Sequence, residues 1–385
     1  MKPTGSIIFA SILYLLSLTH TAAQITLAPN AKVSLLTCTS GAELHAAFGH
    51  SALRIQDSEQ QLDLVFNYGT FDFETPNFYL KFLNGELDYF LSVSTFAHFI
   101  RYYHSVGRGV DEQVLNLNIA EKQLLFQSLT EQLKPENRFY RYEFLRENCA
   151  TKIPEILESI TEEDLEFEPL EFETKESFRS LIGQSLNRYS WQYFGVNIVL
   201  GSVVDRKLQP LDPLFLPEFV ALQFDQTRIR NTPIVGQKRA LLPASFVPPS
   251  HSYLSSPQFL SLLILIAVIY ALWRGKTSTI AFRAESALLI VFGVLGIVLL
   301  YMMFGTEHIA TRNNFNILWL NPLILIALIS PTKTRWLAVS LSGLFVMVVH
   351  YMGVQEMTSS FRLLSLALVL IGIRRALLIS NSKTK

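Results

Sequence analysis

The sequence predicts an exported α+β domain followed by an all-α membrane domain of five transmembrane helices. Half of the 385 residues are hydrophobic, and the longest apolar runs lie at the two ends of the chain. Between them, short strand-like stretches alternate with helix-like ones. We therefore divide the chain into a signal peptide (1–23), an extracytoplasmic domain (24–233), a linker (234–256), five membrane helices (257–380) and a cytoplasmic tail (381–385).

The first 23 residues are typical of a secretory signal peptide. Lys2 precedes an apolar run from Ile7 to Leu18, and small residues follow at Thr21 and Ala23. We expect cleavage after Ala23. An uncleaved anchor helix is the alternative, although the run is short for a membrane span. Under either interpretation, the chain that follows lies outside the cytosol.

In the next 200 residues, stretches with the two-residue alternation of strands are interspersed with stretches that have helical spacing. "AKVSLLTC", "HSALRIQD", "LDLVFNYG", "LDYFLSV" and "EQVLNLNI" are β-branched or aromatic and partly alternating, as strands are. The segment from Asn118 to Pro135 has helical spacing, and Asn118 can cap it. "RFYRYEFL" returns to strand-like alternation, and "CATKIPEILESI" and "SFRSLIGQSLNRYSWQYFG" have helical patterns. This order of elements indicates an α+β fold.

Five apolar runs predict the membrane helices. A helix of 17 residues spans ~26 Å, close to the ~30 Å thickness of the hydrocarbon core. Arg374 and Arg375 interrupt the last run, which makes it the least regular of the five. The runs are 257–273, 285–304, 315–330, 336–352 and 361–380.

The distribution of Lys and Arg sets the topology. If the preceding domain is exported, the first span runs from outside to inside, so 274–284, 331–335 and the C-terminus are cytoplasmic. Positive residues concentrate there, whereas the opposite loops hold only Arg312 and Arg362. The cytoplasmic set comprises Arg274, Lys276, Arg283, Lys333, Arg335, Lys383 and Lys385, with Arg374 and Arg375 near the tail.

Cys149 lies in "YEFLRENCATKIPEIL", between Asn148 and the start of a predicted helix. A helix N-terminus stabilises a thiolate through its free N–H groups and its dipole, so we expect a lowered thiol pKa and a nucleophile. Asn148 can cap the helix or orient a catalytic partner. The alternative is a cysteine that is simply buried.

A nucleophilic cysteine needs a base, and His50 is the best placed of the histidines. It follows Gly49 at the start of a predicted strand, where sheet packing can aim its ring at a helix on that sheet. His45 is the local competitor. His98 and His104 lie in an amphipathic aromatic segment and are weaker candidates.

The segments "VSLLTCTSGAELHAAFGHSALRI", "FNYGTFDFETPNFYLKFLNGELDYFL" and "YRYEFLRENCATKI" resemble the exported domain of the Lnb family of bacterial lipoprotein N-acyltransferases. The resemblance continues through "WQYFGVNIVLGSVVDR" and "GTEHIATRNNFNILWLNPL". It implies a permuted papain-like fold, as in the lecithin:retinol acyltransferase and NlpC/P60 groups. It also implies Cys149 as nucleophile and His50 as base, while Asn148, Asn67 and Tyr68 are candidates for the orienting group.

The resemblance further implies a ping-pong acyl transfer that needs no cofactor or metal. A phospholipid is the acyl donor, Cys149 carries the acyl chain as a thioester, and the α-amino group of a diacylglyceryl-modified apolipoprotein is the acceptor. Both substrates are anchored in the bilayer. The implied location is therefore the bacterial inner membrane, with the N-terminal domain in the periplasm.

Polar residues near the outer ends of the membrane helices are candidate substrate contacts. His308, Asn314 and Asn321 could bind a lipid headgroup, and Tyr68 is a candidate within the exported domain. The alternative is ordinary interfacial chemistry, to which Trp319 would belong as part of an aromatic belt.

Cys38 and two rival functions stay open at this stage. Cys38 could form a disulfide with Cys149, or could itself be the nucleophile. The same Cys149 and His50 could serve a membrane-tethered amidase or peptidase acting on cell-wall peptides, or the protein could be a scaffold without activity. The sequence lacks a ligand-spaced metal motif and a basic patch for nucleic acid.

Overall fold

The computed structural model describes residues 25–161, 164–171, 176–247, 250–275 and 278–382. The predicted signal peptide lies outside the described residues, as does the end of the tail.

A seven-stranded antiparallel sheet forms the centre of the exported domain. Its order is β10-β5-β1-β2-β3-β4-β6, and a small second sheet has the order β7-β8-β9. The strands are β1 (Lys32–Cys38), β2 (His50–Asp57), β3 (Leu62–Thr70), β4 (Asp88–Thr95), β5 (Val110–Leu115), β6 (Phe139–Arg141), β7 (Leu165–Glu166), β8 (Arg228–Ile229), β9 (Thr232–Pro233) and β10 (Val235–Leu242).

Within the described residues, the exported domain has seven helices beside its sheets, which confirms the α+β class. They are α1 (Phe78–Asn84), α2 (Phe96–Ser105), α3 (Ile119–Gln132), α4 (Lys152–Thr161), α5 (Phe178–Ser185), α6 (Trp191–Val199) and α7 (Pro217–Gln226). The predicted cap of α3 is present: Asn118 Oδ1 accepts from the Glu121 N–H at 2.9 Å, and the Glu121 carboxylate accepts from the Asn118 N–H at 2.7 Å.

Both faces of the sheet are covered, because β1 and β2 are buried at nearly every position. Leu35 and Leu53 face the core that α3 and α4 complete with residues such as Leu125 and Leu157. Leu36, Ala52 and Val65 face the other side, where α2 packs with Phe99 and Tyr103. In these two central strands the exposed or half-exposed positions lie mainly near the strand ends.

The sheet extends further along the chain than the sequence indicates. β10 pairs with β5 as an edge strand, although its residues fall in the predicted linker. Most of its side chains are exposed, so the apolar alternation that marks a strand is missing. The folded domain accordingly reaches Leu242.

Four helices of the membrane part are long and apolar enough to cross a membrane within the described residues. They are α8 (Pro257–Arg274), α9 (Thr279–Phe304), α11 (Lys333–Tyr351) and α12 (Ser359–Ser382). The helical membrane domain is thus confirmed, but the third predicted span is not one continuous helix. It consists of a 3₁₀ turn, Phe315–Leu318, followed by the short helix α10, Leu323–Ile329.

This broken segment packs closely along α9. A Cβ at Gly296 would lie 2.2 Å from the carbonyl oxygen of Leu320, and one at Gly293 would lie 2.6 Å from the Leu325 side chain. These glycines allow backbone contact in the place of a fifth long helix. Because the segment connects the outer end of α9 to Lys333 at the start of α11, it still carries the chain across.

The two arginines that interrupt the last apolar run are buried and paired. Arg374 Nη1 donates to Glu285 Oε1 of α9 at 2.6 Å, and the Arg375 guanidinium lies 4.9 Å from the centre of the Trp336 ring. Charged residues within spans are costly unless paired in this way. The pairing explains how α12 can be a span despite its two arginines.

The exported domain is docked on the outer end of the membrane part through backbone groups. Asn314 Nδ2 donates to the Ile198 carbonyl at 2.7 Å, and Asn316 Nδ2 donates to the Asn197 carbonyl at 3.1 Å. The Gly201 N–H donates to the Ala310 carbonyl at 2.8 Å. These bonds hold the end of α6 against the loop that follows α9.

Gly201→Ala should therefore destabilise the full-length protein in detergent. The new Cβ would lie 1.8 Å from the Arg312 carbonyl oxygen, so the docked loops must separate, at a cost of roughly 1–3 kcal/mol. Gly195→Ala is the matched control, since nothing lies within 4 Å of its Cβ position on α6. Thermal unfolding that gave equal midpoints for the two variants would contradict this interface.

Candidate active site

Cys149 lies at a gap in the sheet, where β2 and β3 diverge. Their pairing runs from Asp57↔Leu62 to Leu53↔Phe66, and β2 then continues to His50. The backbone N–H of Ser51 faces the Cys149 sulfur. On the β3 side, a Cβ at Gly69 would lie only 3.4 Å from Cys149 Cβ. The thiol is thus held next to the residue that follows His50.

Asn148 builds the turn that presents the thiol. Its Oδ1 accepts from the N–H groups of Ala150 at 2.7 Å and Thr151 at 3.0 Å, so it caps the start of α4 as its sequence position indicates. Its Nδ2 donates to the carbonyls of Phe144 and Phe215. With both ends of its amide engaged, Asn148 holds the loop and does not orient His50.

Asn67 orients the His50 ring instead. His50 Nε2 lies 3.2 Å from Asn67 Oδ1, and Asn67 Nδ2 donates to the Val65 carbonyl at 3.2 Å. The second bond fixes the amide so that its oxygen faces the ring. His50 Nε2 must then carry the proton, which leaves Nδ1 unprotonated and able to act as a base.

Burial keeps both reactive groups neutral at rest. It lowers the pKa of His50 to about 4, with Asn67 opposing the shift and Arg108 adding to it. It also raises the pKa of Cys149, although the N–H groups of Ser51 and Cys149 itself and the charge of Arg108 act in the opposite direction. The lowered thiol pKa expected from the helix start is therefore wrong for the resting site, because desolvation outweighs the helix terminus.

Arg108 is a charged residue of the candidate site, and its charge acts on both His50 and Cys149. The sequence did not point to it. It is buried, its Nε donates to the Thr39 carbonyl at 2.6 Å, and its guanidinium lies 4.9 Å from the centre of the Tyr103 ring. Within the described part of the chain, its Nη2 has no hydrogen-bond partner. The only signal in the sequence is an arginine between two glycines, Gly107 and Gly109.

Cys38 is close to the site but is less suited to react. Both cysteines are free thiols, so no bridge blocks Cys149. Cys38 pairs with His50 across β1 and β2, yet its side chain is fully buried in contact with the Tyr103 hydroxyl. Burial raises the pKa of Cys38 to about 12. The geometry therefore favours the half-buried Cys149 as the reactive thiol.

The candidate substrate contacts have structural partners. Tyr68 is in the core, and its hydroxyl donates to Gln132 Oε1 at 2.7 Å. Asn314 is buried at the docking interface described above. Asn321 Oδ1 accepts from the Leu323 N–H at 2.9 Å at the start of α10. His308 Nε2 lies 3.0 Å from the Phe82 carbonyl of α1. None of these bonds is to Cys149 or His50.

An aromatic cluster extends outward from Cys149. The Tyr140 hydroxyl accepts from the Gly69 N–H at 2.7 Å, and the Tyr142 ring stacks on Tyr89 with 4.2 Å between centroids. Phe71 packs on Tyr89 at 5.3 Å, and Phe78 of α1 packs on Phe71 at 5.9 Å. The aromatic cluster consists of Phe71, Phe78, Tyr89, Tyr140 and Tyr142.

Comparison with known families gives two matches. The model of the Lnb N-terminal periplasmic domain matches residues 20–182. The model of the Lnb transmembrane domain, named for five transmembrane helices, matches residues 249–383. No curated protein and no solved structure matches the chain.

Asn67→Ala should slow alkylation of Cys149 by iodoacetamide at pH 7 by about tenfold, because the ring loses its fixed tautomer and orientation. Thermal stability should change little. Asn148→Ala is the comparison: it removes a cap and two further bonds, so it should lower stability by roughly 2–3 kcal/mol. Peptide mass mapping and thermal unfolding measure the two effects, and a reversed pattern would refute these assignments.

The alkylation rate of Cys149 should keep rising above pH 9, since burial raises the pKa of this thiol. Arg108→Met should raise the pKa further and slow alkylation at pH 8, because the positive charge favours thiolate. Arg101→Met, on the exposed side of α2, is the control and should match wild type. A wild-type rate that levels off near pH 7, or equal rates in both variants, would contradict this account.

Proposed function

This chain belongs to the Lnb family, and on that premise we propose that it is a lipoprotein N-acyltransferase. It moves an acyl chain from a phospholipid, through a thioester on Cys149, to the N-terminal amine of a diacylglyceryl-modified apolipoprotein. The observation that carries the proposal is a free thiol that faces the N–H of Ser51, the residue next to an oriented, neutral His50, in a domain docked on the outer end of a helical membrane part.

In the first half-reaction, the Cys149 sulfur attacks the ester carbonyl carbon of the donor while its proton passes to His50 Nδ1. The N–H groups of Ser51 and Cys149, which face the sulfur, are placed to donate to the oxyanion that develops. The ester C–O bond then breaks. His50 returns the proton to the departing lysophospholipid oxygen, which leaves the acyl thioester.

In the second half-reaction, the acceptor amine attacks the thioester. An unperturbed α-amino group has a pKa of ~8, so a minority is already neutral near pH 7. His50 takes a proton from the attacking nitrogen as the amide forms, and gives it to the Cys149 sulfur as the C–S bond breaks. Because the pKa of His50 is about 4, the ring is in its base form throughout the neutral range.

The membrane contacts favour lipid-anchored substrates over cell-wall peptides. Ala47, three residues before His50, and Leu145, four residues before Cys149, belong to one apolar cluster that includes Ala310 of the loop after α9. The reactive end of the sheet thus rests on the membrane part. A wall amidase would have no need of this arrangement, and the free thiols argue against a bridged scaffold. The positive-inside loops support an inner-membrane location.

Cys149→Ala and His50→Ala should each abolish N-acylation, whereas Cys38→Ala should retain it. The measurement is intact-mass analysis of a lipoprotein from cells that lack their own N-acyltransferase and carry wild type or one variant. Wild type should add one acyl mass to the lipoprotein. Immunoblots of membranes serve as the expression control.

Failure of wild type to add the mass, with the protein present in the membrane, would favour the amidase or the scaffold. Retention of the added mass in Cys149→Ala together with its loss in Cys38→Ala would move the nucleophile to Cys38.

A further inference from the structure

Helix α1 exposes nearly all of its large apolar side chains. Tyr79 is 81% exposed, Leu80 55%, Phe82 52% and Leu83 41%, and only Phe78 is buried. Each of the four would gain on the order of 1 kcal/mol or more from transfer out of water. A helix of seven residues with this surface needs an apolar environment to cover it.

The position of α1 indicates what that environment is. The Asn84 carbonyl accepts from the Glu307 N–H at 2.8 Å, and the Asn84 side chain is bonded to the hydroxyl of Tyr301, in the last turn of α9. The Phe82 carbonyl is bonded to the His308 ring, as described above. These three hydrogen bonds fix α1 beside the outer end of a membrane span, at the level of the bilayer surface.

The buried side of α1 leads to the reactive thiol. Phe78 begins the aromatic cluster, which continues through Phe71 and Tyr89 to Tyr142 and Tyr140. Tyr140 and Tyr142 are close enough to Cys149 for a charge on the thiol to raise the pKa of each hydroxyl. A continuous series of packed aromatic rings therefore connects α1, at the bilayer level, to the candidate active site.

We propose that α1 is an interfacial helix that inserts its exposed side chains into the outer leaflet and guides the acyl chain of the donor along the aromatic cluster to Cys149. The guiding role rests on the proposed function, whereas insertion does not. The occupant of this surface is lipid. The bonds to α9 place it at bilayer depth, and half-buried Lys81 can extend its ammonium group to lipid phosphates.

Insertion can be measured without any acyl transfer. Full-length Phe82→Cys, in a Cys38→Ser and Cys149→Ser background, is labelled with an environment-sensitive fluorophore and reconstituted in phosphatidylglycerol–phosphatidylethanolamine vesicles. The label should lie ~5–10 Å below the headgroup boundary and be quenched by lipids brominated on their acyl chains. The Phe82 carbonyl, which contacts His308, is kept in this variant.

Leu124→Cys in the same background is the control. Leu124 is 45% exposed on α3, and its neighbour Gln123 bonds the Leu27 N–H beside Asp57, at the other end of β2 from His50. That end is ~25 Å away along an eight-residue strand. Its label should stay in water. Equal quenching at both positions would overturn the insertion. So would a label at position 82 that leaves water only when the protein concentration is raised or lipoprotein is added.

The guiding role has its own test. Leu80→Gln/Leu83→Gln should lower N-acylation from vesicle phospholipid at least about tenfold, the effect expected when substrate is poorly positioned. Alkylation of Cys149 by water-soluble iodoacetamide should be unchanged, which shows that the site is folded. Unchanged N-acylation would refute the guiding role. Absence of N-acylation in wild type as well would refute the proposed function and leave the depth measurement valid.

Discussion

Burial of Cys149 and His50 is the constraint on which the proposed chemistry depends. The thiol is placed at a helix start, which favours thiolate, but its partial burial in the gap between β2 and β3 raises its pKa. The same burial holds His50 neutral. A neutral pair has little reactivity until a carbonyl is bound, because only then can the N–H groups and Arg108 stabilise the charge that develops.

The residue that supports His50 is not the one that lies next to Cys149 in the sequence. Asn148 precedes the thiol, yet its amide is needed to hold the turn. The hydrogen bond to the imidazole comes from Asn67, which lies on the neighbouring strand β3 and on the same face of the sheet as His50. Sequence spacing correctly placed the cap of α3, the strand that starts at His50 and the helix that follows Cys149, because these depend on local periodicity. It could not rank Asn67 above Asn148 or find Arg108, because strand register and loop packing decide both.

The same limit applies in the membrane part. Hydropathy located five apolar runs, but it could not show that 315–330 would be broken. Asn314 and Asn316 point their amides toward the exported domain, and α9 offers glycines against which a backbone can lie. Arg374 and Arg375 made the last run the least regular of the five in the sequence. In the structure, Arg374 is paired with the buried Glu285 of α9. In each case a contact with a residue far away in the sequence decides whether an apolar stretch forms a continuous spanning helix.

Asn321 caps α10, but the other polar residues at the outer ends of the spans, Asn314, Asn316 and His308, contact backbone carbonyls of the exported domain. They dock the exported domain in one orientation, with the reactive end of the sheet facing the membrane part and the β2–β3 hairpin away from it. A single anchor helix would tether the domain but leave that orientation free. In the proposed reaction, two lipid-anchored substrates reach one sulfur atom in turn, and neither can leave the plane of the bilayer cheaply. A fixed orientation, with α1 at the bilayer surface, removes the search that a loosely tethered domain would repeat at every half-reaction.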